Sequence, residues 1–224
     1  MIRPAVRKRA RGTAAAASIA ALLAGCGVLG RAEPSRLYAL RAPEGAPSAT
    51  ARCPVRVSLR ELRLAGHLDR PEVVVSRDGS RIVADGADLW AAPLAAELRR
   101  AIGSQLAERL AGSQLVPHPW RLEDAPRLAV ALDVDRLDAV GGRLQAAIGW
   151  RLFDVAGARQ LAWGRFASDE PLAPAVAASA GPGSGRADAV VGGIDAAIAR
   201  FAATLAERIV ADPIAGGWCR EADR

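Results

Sequence analysis

The chain has 224 residues, of which 51% are hydrophobic, and a formal net charge of +6 at pH 7. A basic balance suits nucleic-acid binding through counterion release, but five of the cations lie within the first 11 residues. Without residues 1–25 the chain has 25 basic and 24 acidic residues, and this near-neutral balance argues against a nucleic-acid partner.

The N-terminal segment has the order of a bacterial lipoprotein signal. A basic start is followed by an uncharged run from Thr13 to Leu23, which ends in Leu23-Ala24-Gly25-Cys26. This run is 11 residues long, whereas a membrane-spanning helix needs about 20 apolar residues. A basic region, an apolar region and small residues before a cleavage site mark a secretory signal, and the cysteine marks a lipoprotein. We therefore expect cleavage after residue 25 and attachment of lipid to Cys26.

The expected mature chain has 199 residues, the size of one domain. We expect a lipidated tether at residues 26–35 and a single domain at residues 36–220. With Cys26 lipidated, Cys53 and Cys219 are the remaining cysteines. An even pair in an oxidising compartment is consistent with a disulfide, and two free thiols are the alternative.

The first half of the domain has the pattern of β structure. A strand is predicted at residues 36–40, and a second at residues 55–64, where apolar residues alternate with polar ones. The alternation slips by one residue at Arg60–Glu61, which predicts a bulge or a bend. Asp78–Gly79 between two β-branched runs predicts a hairpin over residues 72–84.

A three-stranded antiparallel meander is predicted farther along the chain. Apolar residues alternate over residues 128–134 and 144–152 on either side of Gly141–Gly142, and a third strand is predicted at residues 160–167. The other face of this meander should meet water or a partner because it is polar. Its polar residues include Asp133, Asp135, Arg143, Gln145 and Arg151.

Two long amphipathic helices complete the predicted domain. Leucine or isoleucine at every fourth position predicts a helix from Pro93 to near Gly112, with Trp90 filling the gap between the helix start and the sheet. A second helix is predicted over residues 190–209, after a small-residue loop at residues 174–185. These elements predict an α+β fold: a single two-layer domain, mainly antiparallel sheet, with both helices packed on one face.

Residues that catalyse reactions or bind metals are few. His67 and His118 are the only histidines, so a zinc site of three or four His, Cys or carboxylate ligands is not predicted. A Gly-Pro-Gly-Ser-Gly stretch around Ser184 is similar to the nucleophile turn of hydrolases, but no strand precedes it. A solvated strand face explains three neighbouring carboxylates, Asp133, Asp135 and Asp138. We expect no catalytic residue, no metal and no cofactor.

Three motifs resemble those of the PqiC-like ABC-type transport auxiliary lipoproteins. That family has Asp-Arg-Pro, a β run and Arg-x-Gly, then Trp-Ala-Glu-Pro-Leu at a helix start, and Ser-x-Tyr-Tyr-x-Leu near the mature N-terminus. We call the matching residues the signature positions: Tyr38, Asp69, Arg70, Pro71, Arg77, Gly79, Trp90, Pro93 and Leu94. Three residues depart from the pattern, since Leu37 and His67 replace tyrosines and Ala92 replaces glutamate.

The resemblance implies a lipoprotein anchored in the outer membrane and facing the periplasm. Its implied role is a non-catalytic tether in an MCE-type lipid transport system. It would dock an inner-membrane MCE-domain protein, in some systems with an ATPase and a permease. A ring-shaped homo-oligomer is implied as well. Gly27 and Val28 after Cys26, with no aspartate at the second mature position, agree with sorting to the outer membrane. A plug or assembly factor for a β-barrel and a periplasmic hydrolase are the alternatives.

Overall fold

The computed structural model describes residues 34–41, 51–174 and 184–221. The predicted signal and nearly all of the predicted tether, including Leu23, Ala24, Gly25 and Cys26, lie outside the described residues. So does most of the two predicted loops, at residues 42–50 and 175–183.

The described part of the chain contains ten strands, three helices and a 3-10 turn. The strands are β1 Arg36–Tyr38, β2 Ala51–Arg52, β3 Arg56–Leu64, β4 Glu72–Asp78, β5 Arg81–Trp90, β6 Leu110–Ala111, β7 Gln114–Leu115, β8 Leu128–Val140, β9 Arg143–Asp154 and β10 Arg159–Pro171. The helices are α1 Leu94–Arg109, α2 Ser184–Ala211 and α3 Ala215–Glu221, and a 3-10 turn covers Leu122–Asp124.

The main sheet has five strands in the order β10-β9-β8-β3-β7. Strands β8, β9 and β10 form the predicted antiparallel meander. Gly141 and Gly142 make its first turn with φ values of +55° and +76°, which glycine adopts without steric cost. Strand β3 lies parallel to β8, a pairing that brings the first half of the chain against the second.

The predicted irregularity in β3 is confirmed. Its register against β8 shifts between Leu59 and Leu62. Both leucines are buried, while Arg60 and Glu61 between them are exposed. The bulge therefore keeps both leucines in the core, although they are an odd number of residues apart.

A smaller sheet has the order β1-β5-β4. Strands β4 and β5 form the predicted hairpin, and Gly79 in its turn has a φ of +55°. Strand β1 is parallel to β5, and β2 forms a two-residue parallel pair with β6.

Helices α1 and α2 pack against each other and against the main sheet, so the α+β class is confirmed. Helix α1 begins after Pro93, and Gly112, with a φ of +84°, follows its end. Helix α2 begins at Ser184, six residues before the predicted start, and ends before Asp212–Pro213. Helix α3 follows this proline and was not predicted.

Helix α2 is also long and apolar enough, by length and composition alone, to cross a membrane. Its segment Gly185–Ala211 has a mean hydropathy of 1.5 over the most apolar window, half of which is buried inside the protein. Phe201 is fully buried, and its ring lies 5.5 Å from that of Phe166 on β10. These contacts are those of a core helix in a folded domain.

A disulfide joins Cys53, just before β3, to Cys219 in α3, across 166 residues of sequence. Both cysteines are buried. Next to this bond, the guanidinium of Arg127 lies 4.0 Å from the centre of the Trp218 ring, a cation–π contact. The disulfide and this contact hold α3 against the start of the sheet.

Candidate functional site

Signature positions from three distant segments meet where the small sheet leads into α1. Tyr38 on β1 is the register partner of Trp90 on β5. The Ala91 amide donates to the Tyr38 carbonyl at 2.7 Å, and the Trp90 amide donates to the Pro71 carbonyl at 2.8 Å. Trp90 is buried, as predicted for a side chain that fills the gap before the helix. We call this set of contacts the signature junction.

Two buried carboxylates that sequence reasoning missed hold β1 in the signature junction. Glu97 accepts a hydrogen bond from the Leu40 amide at 3.0 Å and pairs with Arg100 at 2.8 Å. Arg100 also donates to the Leu40 carbonyl. Asp88 is fully buried and pairs with Arg36 at 2.6 Å. Two features of the sequence could have indicated these residues. Glu97 is an acid in the first turn of a predicted helix, and Asp88 is an aspartate in an apolar strand.

Tyr38 lies in an environment that opposes ionisation. Burial, followed by the negative charges of Asp88 and Asp188, raises the pKa of Tyr38 to about 12. The phenol is therefore neutral at physiological pH, and its role is packing and hydrogen bonding.

Arg77 and Gly79 form a second group, in the β4–β5 hairpin. Arg77 donates from Nη1 to Oδ2 of Asp138 at 2.8 Å, and from Nε to the Gly79 carbonyl at 3.2 Å. His67 Nε2 lies 2.8 Å from the other oxygen, Oδ1, of Asp138. Arg136 Nε is 3.8 Å from Oδ2. We call Asp138 with His67 and Arg77 the carboxylate cluster.

The expectation that Asp138 lies on a solvated face with Asp133 and Asp135 is wrong. Asp138 is fully buried, because the loop after β3 and the small-sheet hairpin bring His67 and Arg77 over it. Both carboxylate oxygens are occupied by these partners. The carboxylate cluster therefore joins the two sheets.

Three of the four remaining signature positions lie at the surface. Asp69 and Arg70 are exposed, and Arg70 Nε donates to Glu72 at 2.9 Å. This hydrogen bond lowers the pKa of Glu72. Pro93 is exposed at the helix start and Leu94 is buried behind it. The signature positions therefore do not converge on one cavity.

Other predicted chemical residues are scattered. His118 contacts the ring of Trp120, with the ring centres 4.9 Å apart. Ser184 begins α2, and the glycine-rich stretch before it lies outside the described residues. Within the described part of the chain, no three His, Cys, Asp or Glu side chains come together in a way that would hold a metal ion.

The outward face of the meander carries an exposed tryptophan among charged side chains. Trp163 on β10 is 75% exposed. Gly164 beside it points inward, where an added Cβ would stand 2.6 Å from the buried ring of Trp150. Strand alternation therefore directs Trp163 outward. Two ion pairs of 3.1 Å flank it. We define the outer sheet face as Asp133, Asp135, Arg151, Trp163 and Arg165.

Comparison with known proteins places this fold in a family. The model of the ABC-type transport auxiliary lipoprotein component matches residues 38–206. The chain belongs to this family. The resemblance seen in the signature positions is thus confirmed, and the protein is an auxiliary lipoprotein of ABC-type transport.

Solved structures share the fold at low sequence identity. The Xanthomonas campestris protein XCC0632, assigned to DUF330, has 13% identity and a TM-score of 0.61, with 85% of this chain and 100% of that chain covered. An uncharacterised protein has 16% identity and a TM-score of 0.59, covering 79% and 99% of the two chains. At these identities the likeness shows the fold alone. Among curated proteins, none matches this chain in sequence.

Proposed function

We propose that this auxiliary lipoprotein is anchored in the outer membrane through acylated Cys26, faces the periplasm, and docks an MCE-domain protein of the inner membrane. An ATPase and a permease complete the proposed system, and the transported molecule is a lipid. The role is that of a non-catalytic tether. No nucleic acid and no cofactor take part.

The observation that carries this proposal is the placement of the signature positions. Tyr38, Pro71 and Trp90 join the strands in the signature junction, and Arg77 pairs with Asp138 in the carboxylate cluster. A catalytic family would be expected to bring such residues to one accessible pocket. Their structural placement supports surface recognition as the activity.

The lipid anchor rests on the N-terminal sequence and on the family. Leu23-Ala24-Gly25 before Cys26 supports cleavage and acylation, and the residues that follow support sorting to the outer membrane. Stable anchoring takes two or more lipid signals, since each buried methylene adds about 0.8 kcal/mol. A multiply acylated cysteine meets that requirement.

The outer sheet face is the proposed docking surface. It combines one large exposed aromatic side chain, Trp163, with arginine and aspartate pairs. Tryptophan and arginine are enriched among the residues that dominate binding energy at protein interfaces. We also propose a homo-oligomer, which the family resemblance supports.

Affinity purification of the tagged full chain from solubilised envelopes tests the docking. We expect the MCE-domain protein in the eluate, and about a fivefold or greater loss in Trp163→Ala, because truncating a central interface tryptophan typically costs more than 1 kcal/mol. The matched control is Leu122→Ala, because Leu122 is 93% exposed in the 3-10 turn, outside the outer sheet face. Recovery of a β-barrel protein without an MCE-domain protein would instead support a plug or assembly factor.

A further inference from the structure

A groove of about 690 Å³ lies along the side of α1 that faces away from the core. Its lining is mainly apolar, and the chain that leaves β7 forms one wall. The α1 residues that form the floor of the groove are small, and the Gly103 position lies against the end of the Leu115 side chain. The apolar lining residues used below are Leu59, Ala96, Gly103, Ala107, Leu115 and Val116.

Arg99 lines this groove and has one N–H without a hydrogen-bond partner. Its Nε is shielded from solvent without a hydrogen-bond partner, and the side chain makes no ion pair with any residue that the structure describes. Arg100 next to it is paired with Glu97. A shielded N–H without an acceptor costs free energy, so an anion next to Arg99 would be stabilised.

The acidic residue of the groove lining, Glu108, lies at its far end. Glu108 has one shielded oxygen, Oε2, without a partner in the described part of the chain. It follows Arg99 by nine residues, a rise of about 13.5 Å along a helix. A headgroup held by Arg99 is therefore well separated from the Glu108 carboxylate.

We propose that this groove binds a long-chain fatty acid, with the carboxylate on Arg99 and the chain along Ala96, Gly103 and Ala107. The guanidinium fork matches a carboxylate in two hydrogen bonds. The groove volume lies in the range of small-ligand sites, roughly 300–1,000 Å³. An apolar chain removes its own surface and that of Leu115, which is 40% exposed, from water. This inference rests on the proposed function in one respect: anchoring in the envelope places the protein where it meets fatty acids.

The structure disfavours an extended peptide as the occupant. A peptide in this position would add as a strand beside β7, but Pro117 comes two residues after the end of β7 and Pro119 two residues later. Proline lacks the N–H that a strand ladder requires and protects sheet edges. A helix from a protein partner is the competing occupant, which the experiment below distinguishes.

Photocrosslinking in cells that carry the full chain tests the site. A palmitic acid bearing a diazirine is the probe, and mass spectrometry maps the labelled peptides. We expect label on residues 96–107 and 115–118. Ala107→Phe, which fills the groove, and Arg99→Gln should each lower this label at least fivefold, whereas Arg99→Lys should retain most of it.

Matched controls keep the result interpretable. Ala196→Phe places the same side chain on α2, in a separate groove, and should leave the label unchanged. Urea unfolding midpoints equal to that of the unsubstituted protein verify that each variant is folded. A diazirine phosphatidylcholine is the second probe, because it has acyl chains but no net negative charge.

Each outcome decides between the occupants. Groove labelling by palmitate that depends on Arg99 supports the proposal. Equal labelling by phosphatidylcholine, the absence of groove labelling, or crosslinks from the groove to another protein would overturn it. If the groove stays unlabelled while the MCE-domain protein still co-purifies with the chain, the fatty-acid site fails and the proposed function stands.

Discussion

Tyr38 is the only tyrosine of the chain, so one side chain reports on the signature junction. Its pKa is raised to about 12 from the usual tyrosine value of 10.0, mainly by burial. The native state therefore retains a proton that the unfolded chain releases as the pH rises above about 10. This contribution to stability is complete below about pH 10 and is lost as the pH rises through about 12.

Ultraviolet absorbance of the phenolate measures this pKa in the folded protein. We expect a titration midpoint near 12, and a midpoint near 10 would show that Tyr38 is not held as described. Tyr38→Phe removes the absorbance change. In this variant the free energy of unfolding should also fall less between about pH 10 and pH 12.

Asp138 is the residue on which the carboxylate cluster depends. Asp138→Ala removes the acceptor of both His67 and Arg77, and breaking a buried ion pair costs about 3 kcal/mol or more. We expect a loss of that size in the free energy of unfolding, measured in urea. His67→Ala should cost less, about 1–2 kcal/mol, because Arg77 still pairs with Asp138.

Asp135→Ala is the matched control for this change. Asp135 is exposed and pairs with Arg165 at 3.1 Å, and exposed pairs contribute about 0–1 kcal/mol. Similar losses for Asp135→Ala and Asp138→Ala would show that the carboxylate cluster does not stabilise the fold in the proposed way.

At the scale of elements, the disulfide determines how firmly α3 is held. Closing a loop across 166 residues stabilises the fold by about 4–5 kcal/mol in the chain-entropy model. Replacing Cys53 and Cys219 together by alanine should lower the urea midpoint accordingly. A reducing agent should shift the unsubstituted protein to the same midpoint and leave the double variant unchanged. An unchanged midpoint in the double variant would contradict this account.

Local patterns predicted most elements because their causes are local. The hairpin at Gly79 follows from glycine's freedom to adopt a positive φ. The bulge at Arg60–Glu61 follows from the change in apolar parity along β3. Helix α3 escaped prediction because it is only seven residues long, too short to show a clear helical period. Its packing depends on the distant disulfide.

At the scale of the whole molecule, local sequence patterns could not predict two features: the parallel pairing of β3 with β8 and the burial of Asp138. Asp138 is 71 residues from His67 and 61 from Arg77, and the pattern along β8 does not show that these distant residues cover it. The signature positions were recognised from the sequence. Which of them belong to the signature junction and which to the carboxylate cluster follows from tertiary contacts. The groove on α1 likewise needs both the helix and the edge of the sheet.

The proposed function depends on the lipid anchor and on the surfaces of the domain. The central claim is that lipid on Cys26 holds a docking domain at the membrane. The most direct measurement is mass spectrometry of the N-terminal peptide of the chain isolated from the envelope. We predict that the peptide begins at Cys26 and carries fatty acyl chains. An N-terminal peptide that still begins at Met1 and lacks acyl chains would contradict the account.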